Sequence, residues 1–102
     1  MALHQGDLEQ AAALFYESLA MFRKLGHQRG IAECLAGLAG LAANQGQPQR
    51  GGRLLGAAAA MLSALGGAWW AADRVEYERH LAAIRAALTK EAFAVVWAEA
   101  RR

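Results

Sequence analysis

The sequence predicts an all-helical domain built from repeated helix pairs, and three observations support this prediction. Alanine, the strongest helix former, fills 26 of the 102 positions, and the single proline is Pro48. No segment has the composition and pattern of a β-strand. Segments 6–26 and 46–66 match each other at an offset of 40 residues, and a period of this length is typical of stacked solenoids. We therefore expect about five antiparallel helices in a short stack.

The first helix is predicted from about Asp7 to Leu25. Asp7 and Gln10 have the spacing of a capping box, and Gly26 marks the end of the helix. One apolar stripe follows from steps of four and three residues, and its members are Leu8, Ala12, Phe15, Leu19 and Phe22. The 40-residue repeat pairs apolar residues of this helix with others further along, namely Leu14 with Leu54, Phe15 with Leu55, Met21 with Met61, Phe22 with Leu62 and Leu25 with Leu65.

The second helix is expected from about Gln28 to Gln45 and the third from Pro48 to about Leu65. One face of the second helix carries Ile31, Leu35, Leu38 and Ala42. Gly37 and Gly40 interrupt this helix. Because a glycine costs about 1 kcal/mol relative to alanine in a helix interior, the pair indicates that a neighbouring backbone approaches closely there. The turn around Gly46 separates the two helices, and proline suits the first position of the third.

Two further helices are expected after the break at Gly66-Gly67. The segment from Asp73 to Glu76 has the spacing of a capping box and should open the fourth helix. Its apolar face consists of Tyr77, Leu81, Ile84 and Leu88, and the helix should end near Leu88. Thr89 is the expected cap of the fifth helix, which runs to about Ala100 and places Phe93 and Trp97 on one side. These two helices form a divergent third unit without a turn glycine.

The amino-terminal residues indicate that the chain is part of a larger repeat protein. Met1 to Gln5 is expected to be the last turn of a helix from a preceding unit, because Gly6 occupies the position of a repeat's inner turn. Residues 1–102 are then a single repeat domain whose first full helix lacks its usual neighbour. Because exposed apolar faces of this kind mark interaction sites, we expect a protein partner, which is either a second copy of the chain in a homo-oligomer or the neighbouring repeats or domains of a parent protein.

Charge and cysteine content exclude several classes of function. The formal net charge of +2 comes from 11 basic and 9 acidic residues, and without a basic stripe or a basic recognition helix no nucleic-acid binding is expected. Cys34 is the only cysteine, which excludes a disulfide framework and fits a reducing cytoplasm. The uncharged segment from Leu54 to Ala72 is long enough to span a membrane. Its alanines and Gly66-Gly67 favour a buried helix followed by a turn.

No group of residues predicts catalysis, metal binding or a cofactor. The three histidines do not share helical spacing, and Gly51-Gly52 lacks the Lys-Ser/Thr ending of a phosphate loop. Cys34 has no histidine at catalytic spacing. Glu76 and His80 are one turn apart and could pair, or contribute to a metal site completed by another chain. A solvated helix face is the simpler interpretation of this pair.

Aromatic residues are the candidates for contact with another protein. Adjacent Trp69 and Trp70 fall in a predicted loop, and tryptophan is enriched at interface hot spots. They could also cover the open end of the helical stack, and this packing role is the preferred interpretation. Tyr16, near the polar side of the first helix, and Trp97 complete this set of candidate interaction residues.

The spacing of Gly6-Asp7, Ala11, Phe15 and Leu19 resembles the turn and second helix of a tetratricopeptide repeat. Gly46, Gly51 and Leu55 stand at the corresponding places of the next unit, with a glycine instead of the family's alanine. The closing proline is missing, and the period of 40 exceeds the usual length of that repeat. The resemblance implies a right-handed solenoid of antiparallel helix pairs that binds protein.

A narrower resemblance is to the carboxyl-terminal helical repeats of bacterial LuxR-like or STAND ATPase transcriptional regulators. It is carried by the segments 17–20, 22–26, 29–35 and 53–58, together with the ending Trp97-Ala98-Glu99. In such proteins the nucleotide and DNA chemistry belongs to other domains, so the resemblance implies a non-catalytic sensor or scaffold region. The alternative is a small-ligand sensor with a pocket among the helices, which the scattered polar residues of the sequence favour less.

Overall fold

The computed structural model describes residues 5–66 and 71–100, with side chains from 6–66 and 74–100. Within these ranges the chain consists of helices and the turns between them. The helices are α1 (Gln5–Leu25), α2 (Gln28–Asn44), α3 (Pro48–Ala64), α4 (Ala71–Ala87) and α5 (Lys90–Ala100). The all-α prediction is confirmed, and each helix ends within one residue of its predicted end.

Local signals explain where most of these helices begin and end. Gly26, Gly46 and Gly66 follow α1, α2 and α3 with φ between 69° and 74°, the left-handed conformation that glycine adopts most readily after a helix. Pro48 occupies the first turn of α3, as expected. The hydroxyl of Thr89 accepts a hydrogen bond from the backbone N–H of Ala92 at 3.0 Å, which confirms the predicted cap of α5.

The cap of α2 was not predicted from the sequence, and it is the side chain of His27. Its Nδ1 atom accepts a hydrogen bond from the backbone N–H of Gly30 at 2.9 Å, so the imidazole caps the first turn of α2. Histidine is not among the preferred residues at this position. The ring also lies 5.1 Å from that of Phe22, centroid to centroid. This contact holds the turn between α1 and α2 against the first helix.

Two predicted helix starts are wrong. Gly6 lies inside α1 and not in a turn. No proline follows it closely, so the backbone at Gly6 can be helical. At Gly46, by contrast, Pro48 disfavours helical backbone in the residue before it. Asp73 lies inside α4, which includes the good helix formers Ala71 and Ala72, so it cannot be the residue that precedes the helix.

Helix α2 is central, with α1 on one side and α3 on the other. Helix α4 contacts both α2 and α3, whereas α5 lies mainly against α3 and touches α4 only slightly. The core contains two clusters of buried residues, which are Leu19, Cys34 and Leu38 in the first and Ala39, Leu55 and Ile84 in the second. The predicted apolar stripes of the first, second and fourth helices are buried or half-buried, and Leu54 of α3 packs against both clusters.

The glycines of α2 and α3 permit close packing, but not always of the predicted kind. A Cβ atom at Gly37 would overlap the ring of Phe15, and one at Gly40 would overlap the ring of His80. Side chains from α1 and α4, rather than a neighbouring backbone, therefore approach α2 at these two positions. A close backbone is found instead at Gly51, where a Cβ would lie 3.1 Å from the carbonyl oxygen of Ala39.

The uncharged segment from Leu54 to Ala72 is not a continuous helix. Helix α3 ends at Ala64, and the chain turns at Leu65 and Gly66 before α4 begins. None of the helices in the described ranges combines the length and apolar character needed to cross a membrane.

Candidate functional site

One side of α1 carries large apolar side chains that no described residue covers. Leu14, Met21 and Leu25 are 59%, 62% and 72% exposed, and their spacing of seven and four residues places them on one side of the helix. We call these three residues the α1 face. Of the described helices, only α2 packs against α1. The opposite side of α1 makes that contact, through residues such as Leu19 and Phe22.

The corresponding positions of α3 are better covered. Leu54, Met61 and Leu65 stand 40 residues after the members of the α1 face. Leu54 packs against the core clusters, Met61 is half-buried, and Leu65 is 44% exposed beside the turn that joins α1 to α2. This side of α3 is therefore directed towards the helix pair that precedes it. By the repeat, the α1 face is the surface on which a helix pair of the same kind would pack.

Tyr16, predicted to contact a partner, is 46% exposed on α1. Its hydroxyl accepts a hydrogen bond from the guanidinium of Arg50, near the start of α3. Both residues line a shallow groove of about 260 Å³ that follows the carboxyl-terminal half of α2. The structure thus gives Tyr16 a role in joining two helices, and its contact with a partner stays a prediction.

Trp97, the next predicted interaction residue, is half-buried between α5 and α3. Its ring stacks on that of Phe93, with centroids 5.2 Å apart and an angle of 22° between the planes, which confirms the predicted pairing. A Cβ atom at Gly56 would lie 2.8 Å from Cβ of Ala100 and in ordinary contact, at 3.4 Å, with the indole, so this glycine lets α5 approach α3 closely at Ala100. Contact with a partner through Trp97 remains untested. Trp69 and Trp70 lie outside the described residues.

A cleft of about 320 Å³ lies between α1, α2 and α4. Its lining residues are Phe15 from α1, Glu33, Ala36 and Gly37 from α2, and Glu76, Tyr77 and His80 from α4. From the sequence alone, the polar residues showed no convergence on a common site. The one signal for the cleft was the spacing of Glu76 and His80, which are one helical turn apart. Glu33 and Phe15 join that pair through the packing of three helices, which the sequence spacing does not reveal.

The prediction of a solvated face is wrong for His80, which has a side-chain exposure of 22% and packs against Gly40. Burial lowers the pKa of the imidazole, nearby Glu76 opposes this shift, and Arg79 adds to it. The Nε2 atom lies 4.0 Å from Oε2 of Glu76, too far for a direct hydrogen bond. Among the side chains that the structure describes, in residues 6–66 and 74–100, no group of three potential ligands could hold a metal ion.

The carboxylates of the cleft have cationic neighbours on their own helices. Glu33 Oε1 lies 3.7 Å from Nε of Arg29, and Glu76 Oε1 lies 3.1 Å from Nη1 of Arg79. Neither arginine lines the cleft. Cys34, next to Glu33 in the chain, is buried in the first core cluster, and burial followed by the charge of Glu33 raises the pKa of its thiol. This cysteine therefore packs as an apolar residue and is protonated at neutral pH.

No protein-family model matches this chain, and no curated protein or solved structure is significantly similar to it. The α1 face and the cleft are the features of the described residues from which a function can be argued.

Proposed function

We propose that this chain is a non-catalytic protein-interaction module and that its α1 face binds a second copy of the chain. The observation that carries the proposal is the exposure of Leu14, Met21 and Leu25. The equivalent positions of α3 are directed towards a preceding helix pair. A surface with this repeat pattern is complementary to helices of the same kind, and a second copy supplies them.

The apolar area of the α1 face is sufficient for a reversible contact. Full burial of a Leu or Met side chain contributes roughly 1.5–3 kcal/mol, so six such side chains from two copies contribute on the order of 10 kcal/mol. Association costs about 4–15 kcal/mol in lost translational and rotational freedom. Because these amounts are similar, we expect a concentration-dependent equilibrium and not a permanent dimer.

The module is proposed to be a right-handed, tetratricopeptide-like solenoid. Support comes from the consecutive packing of α1 on α2 and α2 on α3, and from the 40-residue repeat between α1 and α3. The last two helices depart from this pattern, since α5 lies mainly against α3. In this proposal α4 and α5 cover one end of the stack, and the α1 face remains open at the other.

The wider role that we propose is an assembly region of a cytoplasmic bacterial transcriptional regulator. It is supported by the resemblance of segments 29–35 and 53–58 to the repeats of such proteins. In the structure these segments supply buried positions such as Ala32, Leu55 and Ala58, so the resemblance concerns packing and not chemistry. Sequencing the gene beyond both ends of the chain tests this role. Neighbouring segments without ATPase or DNA-binding motifs would contradict it.

Sedimentation velocity over a concentration series from micromolar to millimolar tests self-association. The native chain should sediment faster as its concentration rises, whereas a Leu14→Lys/Met21→Lys double variant should remain monomeric. The matched control is Val75→Lys/Val95→Lys, which changes two valines that are 57% and 59% exposed on α4 and α5. This control should associate like the native chain.

Circular dichroism and thermal unfolding should be nearly unchanged in both double variants, because the substituted side chains are exposed. A native chain that stays monomeric at millimolar concentration would contradict the proposal. Equal loss of association in the two double variants would show that the α1 face is not the contact.

The cleft supports a second candidate function, the sensing of a small ligand. Aromatic and carboxylate side chains from three helices converge there, and a concave site with a few convergent polar groups is the usual form of a ligand site. Self-association and ligand sensing use different sides of α1, so they are compatible and can be tested separately.

A further inference from the structure

We propose that the cleft between α1, α2 and α4 binds the ammonium group of a small alkyl amine. This inference deepens the ligand-sensing function and does not depend on self-association. Four side chains carry it: the carboxylates of Glu33 and Glu76 and the aromatic rings of Phe15 and Tyr77.

The charges around the cleft favour a cation. Glu33 and Glu76 line it from two different helices, whereas their partners Arg29 and Arg79 do not. The side chains of Glu33 and Glu76 are 38% and 54% exposed, so an incoming ammonium group can reach them without unfolding the chain. Burial lowers the pKa of His80, and the imidazole is therefore uncharged at neutral pH and does not repel a cation.

The apolar lining suits the alkyl part of such a ligand. Phe15 and Tyr77 come from α1 and α4, and Ala36 and Gly37 of α2 lie between these helices. Aromatic rings attract ammonium groups through their quadrupole and also pack against methylene groups. The volume of about 320 Å³ is at the lower end for ligand sites, which selects a short chain of a few carbons.

Two glycines that are unfavourable for α2 as a helix maintain this lining. Gly37 gives space to the ring of Phe15, and Gly40 gives space to the ring of His80. A Cβ atom at either position would displace a ring that lines the cleft. The presence of both glycines within one turn, against their helix propensity, is therefore explained by the shape of the cleft.

Titration with 1,4-diaminobutane at pH 7.5 and constant ionic strength, followed by amide chemical shifts, tests the proposal. Saturable shifts are expected in the segments 33–40 and 76–80. The uncharged analogue 1,4-butanediol has the same carbon skeleton and should produce no saturable shifts. Shifts of equal size with the diol, or no saturable shifts with the diamine, would overturn the proposal.

Glu33→Gln and Glu76→Gln should each weaken binding about fivefold, the effect of losing roughly one charged contact. Phe15→Leu, which keeps an apolar side chain but removes the ring, should also weaken it. The control is Glu91→Gln, which removes an exposed carboxylate on α5 that does not line the cleft. An equal loss in this control would mean that the diamine binds only to the overall charge of the protein.

The titration should be repeated on a Leu14→Gln/Met21→Gln variant, which removes apolar side chains of the α1 face and should also be monomeric, without adding positive charge. Unchanged affinity is expected, because the cleft and the α1 face share no residue. A site that exists only in the associated form would lose the diamine in this variant, which would overturn the inference even if self-association itself were observed.

Discussion

Helix α1 packs against α2 alone among the described helices, whereas α3 lies between α2, α4 and α5. The two helices carry related sequences at an offset of 40 residues. Leu14 is 59% exposed and its equivalent Leu54 is half-buried, while Phe15 is half-buried and its equivalent Leu55 is fully buried. Related apolar patterns thus reach different degrees of burial, because burial depends on how many neighbours a helix has.

The differences between the two sequences reflect the same contrast. Helix α3 has Gly52 and Gly56 where α1 has Ala12 and Tyr16. A Cβ atom at Gly52 would lie 2.8 Å from Cγ1 of Val96 on α5. Ala12 and Tyr16 line the groove along α2 instead of meeting a closely packed helix, so larger residues are tolerated there. The 40-residue repeat therefore predicts which positions are apolar. The glycines that replace larger residues in α3 mark the positions where another helix packs closely.

The largest expected effect is at the centre of the better-covered helix. Leu55→Ala should lower the free energy of unfolding by about 3 kcal/mol, because it leaves a cavity between α2, α3 and α4. Leu25→Ala on α1, where the side chain is 72% exposed, should change it by less than about 0.5 kcal/mol. Urea titration measures both values. Similar losses of unfolding free energy in the two variants would contradict the conclusion that α3 is better covered than α1.

The equivalent leucines provide the most direct comparison, since the same substitution is made at the same position of the repeat. Leu54→Ala should cost about 2 kcal/mol because Leu54 packs against both core clusters. Leu14→Ala should cost less than about 0.5 kcal/mol in the monomer. The urea titrations belong at micromolar concentration, where association is weak. If Leu14→Ala lowers the free energy of unfolding only at high protein concentration, the side chain of Leu14 is covered by a second copy of the chain.

A smaller loss is expected where α3 carries glycine. Gly52→Ala should lower the free energy of unfolding by about 1 kcal/mol, because overpacking against Val96 exceeds the gain in helix propensity. Combining it with Val96→Ala should cost less than the sum of the single variants, since the second change removes the atom that the new Cβ would meet. A Gly52→Ala variant that is more stable than the native chain would show that Val96 of α5 does not pack closely against α3 at this position.

Lowering the pH should have the smallest effect on the free energy of unfolding, and it should act through His80 on α4. Because burial lowers the folded-state pKa of His80 below its ordinary value of 6.5, the unfolded state binds its proton first. The resulting stability is present above that ordinary value and is lost as the pH falls through the folded-state pKa. Unfolding free energies at pH 7.5 and 5.5 should therefore differ more in the native chain than in His80→Gln.

The His80→Gln variant is the reference because it removes this imidazole and leaves every other titratable group of the chain in place. Hydrogen-exchange protection factors, which correct for the slower intrinsic exchange in acid, should fall between pH 7.5 and 5.5 more at the amides of α4 than at those of α1. An equal pH dependence in the native chain and in His80→Gln would remove His80 from this explanation.

The cleft could be predicted only in part from the sequence. The spacing of Glu76 and His80 placed them one turn apart, which is a local property of a helix. Their meeting with Glu33 and Phe15 depends on how α1 and α4 approach α2. The glycines of α2 did signal close packing, but they could not reveal that the approaching groups are the rings of Phe15 and His80.

The sequence by itself determined the helices, their apolar stripes and nearly all of their ends, because helix propensity, periodicity and the turn glycines act over a few neighbouring residues. Tertiary structure decided that α5 lies on α3 and that Leu54 is covered while Leu14 is exposed. These outcomes depend on contacts between segments far apart in the chain, where a side chain gains or loses burial only when another helix is present beside it.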